Sequence, residues 1–205
     1  MMTAKRLVLF FICFLFSTVT SALTSEQQAV LREIEKNIVS SPQMLGTFSQ
    51  TKRLPQLPRP LVSSGVLAIS EELGLSWRIE NPIESHRIFK LDDADSGKRV
   101  NSNIVGSHVA DPLLKIISGD FSELDQTFTV GPQIAEEQWR LNLIPKQEAF
   151  RKVIESIEVV GDKKIRKIVL AEANMAITEI DIMNLHSVEA NNSQLLSEFS
   201  EDNQK

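Results

Sequence analysis

The side chains of this chain that can move protons, attack bonds or hold metals are sparse and scattered. His86, His108 and His186 lie far apart, and none has a second His or a Cys at ligand spacing. A metal site built from them is disfavoured, and surface or loop histidines are the plainer reading. There is no G-x-S-x-G elbow, no phosphate-cradling glycine loop and no H-E-x-x-H helix. The acid pairs Glu71-Glu72 and Glu136-Glu137 fall at expected turns or strand edges. Solvated charge explains them better than acid–base catalysis. Asn191-Asn192-Ser193 fits a glycosylation sequon, a triplet that is frequent by chance. The sequence therefore supports no enzyme and calls for no cofactor. What it carries instead is apolar surface at regular spacing, and any function must come from the elements that present it.

The N-terminus sets the compartment. Lys5 and Arg6 precede an unbroken ten-residue apolar run, Leu7 to Phe16, and small or polar residues follow from Ser17 to Ala22. That order is a secretory signal peptide over residues 1–22, with Thr20 and Ala22 at −3 and −1 of a cleavage site. Crossing a bilayer takes about 20 apolar residues, so the run is too short to be a span. Cys13 is not a lipidation site, because bulky Ile12 precedes it and the apolar run continues beyond. The expectation is a soluble periplasmic protein starting at Leu23. Its 183 residues would carry 20 basic and 27 acidic side chains, a formal −7, and no cysteine. No disulfide could form, so the core must hold by itself. A chain of this size fits one domain and buries about 70% of its unfolded surface. No basic run points to nucleic acid, and no cationic helix points to direct binding of an anionic bilayer.

Helical spacing comes first and then gives way to a period of two. Ser25 and Gln28 form a capping box, and Val30, Leu31, Ile34 and Ile38 recur at helical spacing until Pro42. Strands are expected at Gly46–Gln50, Ser64–Ser70, Leu75–Ile79, His86–Leu91 and Arg99–Val105, with a proline-rich linker at Pro55, Pro58 and Pro60 and turn residues at Asp92–Gly97. Asp111, Pro112 and Gly119 delimit a two-turn helix whose Leu113, Leu114, Ile116 and Ile117 make it apolar nearly all round. A short helical piece is expected at Ser122–Gln126 and a turn or short helix at Lys146–Val153. Strands return at Phe128–Val130, Gln138–Ile144, Ile157–Val160, Ile165–Ala171 and Ala176–Met183. From Leu185 the apolar periodicity fades, which predicts a polar, loose tail over 185–205. Many short strands without β-helix-β alternation point to an α+β fold: one large curved antiparallel sheet with helices packed on one side.

Several of these stretches, in order, resemble the periplasmic outer-membrane lipoprotein carriers, the LolA-like family. Gly46-Thr-Phe48-Ser-Gln50 followed by Lys52 resembles its opening strand, and Ser64-Gly65-Val-Leu-Ala-Ile69 its serine–glycine strand. Leu75-Ser-Trp77-Arg-Ile79-Glu-Asn-Pro82 resembles the aromatic strand that runs to a proline. Leu114 to Phe128 resembles the lid-like helical stretch, and Trp139-Arg-Leu-Asn-Leu-Ile-Pro145 the W-x-L-x-L-x-P strand. The likeness spans about Thr24 to Asn184. It implies one half-barrel domain over residues 23–184, an unclosed antiparallel β-barrel of about 9–11 strands whose short helices lid a hydrophobic cavity. Two features depart from the pattern. The latch arginine before a proline is replaced by Ser70-Glu71-Glu72-Leu73-Gly74, and the family's glycine turn before an aromatic strand is missing.

The resemblance implies a carrier that shields the acyl chains of a lipidated cargo, whether lipoprotein, glycolipid or lipid-linked pigment. It would receive that cargo from an inner-membrane donor and pass it to an outer-membrane acceptor, working as a monomer. The rival is a single-domain sensor or scaffold that binds lipid and regulates an envelope protein partner. Candidate lining residues are the period-two apolar sets Phe48, Leu67, Ile69, Leu75, Trp77, Ile79, Trp139, Leu141 and Leu143. Ordinary core packing explains the same pattern. Leu113, Leu114, Ile116 and Ile117 act either as a mobile lid or as a permanent plug. Without the family's arginine, closure would rest on apolar contacts or on another donor such as Arg53 or Arg78.

Overall fold

The computed structural model describes residues 23–39, 41–89, 115–117, 119–121 and 124–200. The leader, the turn at Asp92–Gly97, the strand expected at Arg99–Val105, and Asp111 to Leu114 lie outside the described residues.

Helix α1 (Ser25–Asn37) begins one residue before the expected box. Thr24 is its N-cap: its hydroxyl accepts from the Gln27 N–H at 3.2 Å, and Gln27 Oε1 accepts from the Thr24 N–H at 3.0 Å. The run Thr-Ser-Glu-Gln-Gln contains two overlapping capping boxes, and the earlier one is used. The helix buries Leu31 and Ile34, and Val30 and Ile38 pack beside them.

Among the described residues, nine strands form one antiparallel sheet: β1 (Gln43–Arg53), β2 (Leu61–Ser70), β3 (Gly74–Asn81), β4 (Ser85–Phe89), β5 (Phe128–Ala135), β6 (Gln138–Pro145), β7 (Ile154–Gly161), β8 (Ile165–Glu172) and β9 (Ile177–Ser187). Their spatial order is β4-β3-β2-β1-β9-β8-β7-β6-β5. First and last strands therefore pair in the middle, while β4 and β5, consecutive in the chain, occupy opposite edges and do not close the sheet. This is the α+β, unclosed architecture expected. The connection from Phe89 to Leu124 has to pass from one edge to the other. Short helices α2 (Leu124–Thr127) and α3 (Glu148–Arg151) flank β5 and β7.

The tail is a correction. Strand β9 runs on to Ser187, and α4 (Ser193–Glu198) docks against β1, with Leu195 buried beside Leu45 and Ala68. Asn192 caps α4 by accepting from the Leu195 N–H at 3.0 Å. Glu198 is buried and accepts from Arg78 Nε at 2.9 Å and Nη2 at 2.7 Å. A six-residue helix with one deep apolar anchor has no readable period, and its decisive contact is 120 residues away in the chain. That docking buries Ala68, one of the outward positions in the run Gly65–Ser70, which is buried throughout rather than alternating.

Candidate functional site

The ladder pairing decides which side chains share a face. Phe48 lies opposite Gly65 on β2 and Ile182 on β9. Leu67 faces Trp77, Ile69 faces Leu75, and Gly65 faces Ile79. At the other half of the sheet, Trp139 faces Gly161, Leu141 faces Val159, and Leu143 faces Ile157. Side chains alternate along each strand, so these registers gather the expected residues onto one face. All nine belong to one apolar cluster: eight are buried, and Ile79 packs against it half-buried.

Two tryptophans shape this face differently. Phe48 stacks on Trp77 with ring centroids 3.9 Å apart and planes inclined 28°. Trp139 meets Phe121 edge-on at 5.7 Å and donates its indole N–H to the Asp162 carbonyl at 2.5 Å. Its ring fills the space above Gly161, where an added Cβ would come within 2.3 Å of it. Gly65 is a second enforced glycine, because a Cβ there would lie 1.9 Å from the Arg78 carbonyl oxygen.

The cover comes from the β4–β5 connection. Residues 115–117 are helical, and Ile116 and Ile117 are buried in the same cluster with Phe121 and Leu124. Gly119 ends this turn at φ 79°, donating to the Ile116 carbonyl at 3.0 Å, and the Asp120 N–H donates to the Lys115 carbonyl at 2.9 Å. Leu113 and Leu114 lie outside the described residues. Neither alternative latch arginine serves the cover. Arg78 sits on the opposite face with Glu198 and Glu80, and Arg53 pairs with Glu179. Both occupy outward positions of their strands, which the alternation reverses relative to Trp77 and Phe48.

Sequence reasoning put Ile180 and Ile182 on one face of the last strand but did not name them, or Met44, Val130, Ile157, Val159, Ile168 and Leu170, as lining candidates; all belong to the apolar cluster. For Ile157, Val159, Ile168, Leu170, Ile180 and Ile182 the period-two spacing of the C-terminal meander is the available signal. Nor did it find the polar end of the same face, where Lys52 Nζ donates to Glu172 at 2.6 and 2.9 Å and the Thr178 hydroxyl donates to Glu172 Oε1 at 2.9 Å. Nearer the cover, burial followed by the charge of Asp120 raises the Glu35 carboxyl above its ordinary value, against a smaller opposing pull from Arg32. A cleft of about 540 Å³ opens at the Trp139 end of this face, between the end of α1, the β5–β6 hairpin and the β7–β8 turn, lined by Ile34 and Trp139 of the apolar cluster together with Glu33, Asn37, Glu137 and Lys163.

No protein-family model and no curated protein matches the chain. Solved structures are similar to it at low identity. A LolA superfamily protein from Nitrosomonas europaea aligns over 88% of this chain and 99% of its own, with 9% identity and a TM-score of 0.45. A putative outer membrane lipoprotein-sorting protein domain from Vibrio parahaemolyticus aligns over 82% and 95%, with 9% identity and a TM-score of 0.40. The MucA/MucB complex of Pseudomonas aeruginosa aligns over 85% of this chain and 62% of the matched one, with 12% identity and a TM-score of 0.41. The likeness is one of outline. At TM-scores below 0.5 it carries no functional argument, and the functional reading rests on the concave face.

Proposed function

We propose that this protein is a periplasmic carrier that shields the acyl chains of lipoproteins or another lipidated cargo on their way to the outer membrane. One observation carries the reading: among the described residues, the apolar face of an unclosed sheet is covered by α1 and by short helical turns of the β4–β5 connection. Four apolar residues of the cover, Ile116, Ile117, Phe121 and Leu124, are buried against it. At about 1.5–3 kcal/mol each, lifting them costs on the order of 6–12 kcal/mol. A chain of roughly 16 carbons taken out of water returns about 10 kcal/mol. Cargo and cover are thus near-equal competitors for one surface, which is what loading and release both require. A permanent core gains nothing from such a balance.

The reading predicts that protein recovered from its own envelope carries lipid. Native mass spectrometry should show a lipid-bound monomer whose sequence begins at Leu23. Lipid-free protein that also fails to take up a fluorescent fatty acyl probe refutes the carrier. Lipid uptake combined with stable capture of one envelope protein, and no delivery to outer-membrane vesicles, would establish the sensor or scaffold instead.

A further inference from the structure

Among the described residues, one buried side-chain polar atom has no hydrogen-bond partner: Trp77 Nε1. The residue is 5% exposed. Buried donors are nearly always paired, with protein or with ordered water, so this N–H keeps a bonding position that the protein itself does not fill. The contrast within this chain is direct, because the other tryptophan, Trp139, is tied to the Asp162 carbonyl. We propose that Trp77 Nε1 donates a hydrogen bond to the carbonyl oxygen of a cargo acyl chain, fixing how far that chain enters the apolar face. This rests on the carrier reading and names the chemical class it selects: ester- or amide-linked acyl groups.

The surroundings give the bound chain a direction. On the inner side of Trp77 lie Phe48, stacked on it, and beyond Phe48 the Ile182 of β9. Across the ladder on the outer side, directly opposite Trp77, is Arg87 on edge strand β4. Arg87 is half-buried, and no ion pair holds it among the described residues. A lipid placed with its carbonyl on Trp77 keeps its methylenes on apolar side chains and its head group beside a cation at the sheet edge. An indole N–H is a donor only, so it matches a carbonyl oxygen and gains little from an alkyl ether. The apolar contacts of Phe48 and Leu67 are indifferent to that distinction, and Trp77 is the residue that draws it.

The test compares phosphatidylglycerol with its dialkyl ether analogue of equal chain length, in competition for the delipidated full-length mature protein. The wild type should prefer the ester about two- to tenfold, the net worth of one hydrogen bond. Trp77→Phe removes the donor and should bring the ester-to-ether ratio to about one, whatever the lost ring area does to the affinity for both lipids. A readout without substitution guards against a variant that does not fold. The chain has two tryptophans, hence two indole N–H proton resonances. Ester lipid should move the Trp77 resonance downfield, ether lipid should not, and the Trp139 resonance should stay put with both. Binding of both lipids with equal affinity, or an ester preference retained by Trp77→Phe, overturns the proposal and leaves the carrier intact. Failure of both lipids to bind the wild type overturns the carrier reading and this assignment with it.

Discussion

Replacing Arg78 by Ala should release α4 from the convex face. The pair is asymmetric: the Glu198 side chain is 4% exposed and the Arg78 side chain 30%. Two charge-assisted bonds of 2.9 and 2.7 Å join them. The hydrogen bond to Glu198 leads the causes that hold the guanidinium above its ordinary value, outweighing its partial desolvation. Removing the arginine leaves a carboxylate in a dry site, which costs about 3–5 kcal/mol if the helix stays down. The helix can instead lift, and the loss is then capped by what its docking contributes, chiefly Leu195 at about 2 kcal/mol plus the pair itself. Either route predicts a loss near 3 kcal/mol, or a urea midpoint lower by about 1.5 M at a slope of about 2 kcal/mol/M. The second bond of Arg78, to half-exposed Glu80 at 2.7 Å, adds little. Glu198→Gln should cost less, because Arg78 can turn to water. Urea unfolding and hydrogen exchange at Leu195–Glu198 read both quantities. A midpoint unchanged by Arg78→Ala, with protection of those amides intact, refutes the clamp.

Three further outcomes follow from the same geometry. Gly65→Ala should destabilise by about 3 kcal/mol, since its Cβ must push apart two paired strands at a 1.9 Å approach, and an unchanged urea midpoint would contradict that registration. Glu35→Gln should flatten a pH dependence: a carboxyl raised above its unfolded value of about 4.5 makes wild-type stability fall as pH climbs through and past that value, so the variant should gain on the wild type towards neutral pH and not at pH 4. A disulfide verified between the turn at 115–117 and the concave face should block uptake of an acyl probe, and undiminished uptake by the cross-linked form would make this turn a static plug.

The half of the face built from β6 was legible because that strand alternates buried and exposed residues without interruption, so Trp139, Leu141 and Leu143 declare one side. Strand β2 gave no such answer. Its run from Gly65 to Ser70 is buried on both faces, and α4, which covers Ala68 from the outer side, lies in a tail with no local signal. The missed helix shows the same limit: its anchor is the Arg78–Glu198 pair, and nothing local in a polar tail marks one glutamate among several as destined for burial. The start of α1 slipped by one residue because Thr24-x-x-Gln27 and Ser25-x-x-Gln28 satisfy the same rule. Which of two tryptophans keeps an unpaired N–H is likewise set by the Asp162 carbonyl, contributed by a turn 23 residues from Trp139.

The two faces of the sheet are covered by different kinds of contact. On the convex side, α4 is held by an ion pair with a buried carboxylate, which nothing apolar can replace without leaving a charge unsatisfied. On the concave side, the described residues that reach the sheet from the β4–β5 connection are Ile116, Ile117 and Phe121, with Leu124 following at the start of α2. Their dispersion and desolvation are of the same kind as a methylene chain provides, so one can stand in for the other with no polar group stranded. With β1 and β9 paired at the centre, β4 and β5 are at opposite edges, and the chain between them has to cross. The strand order that leaves the sheet open therefore also requires a crossing connection, and Ile116, Ile117 and Phe121 of that connection are buried in the apolar cluster.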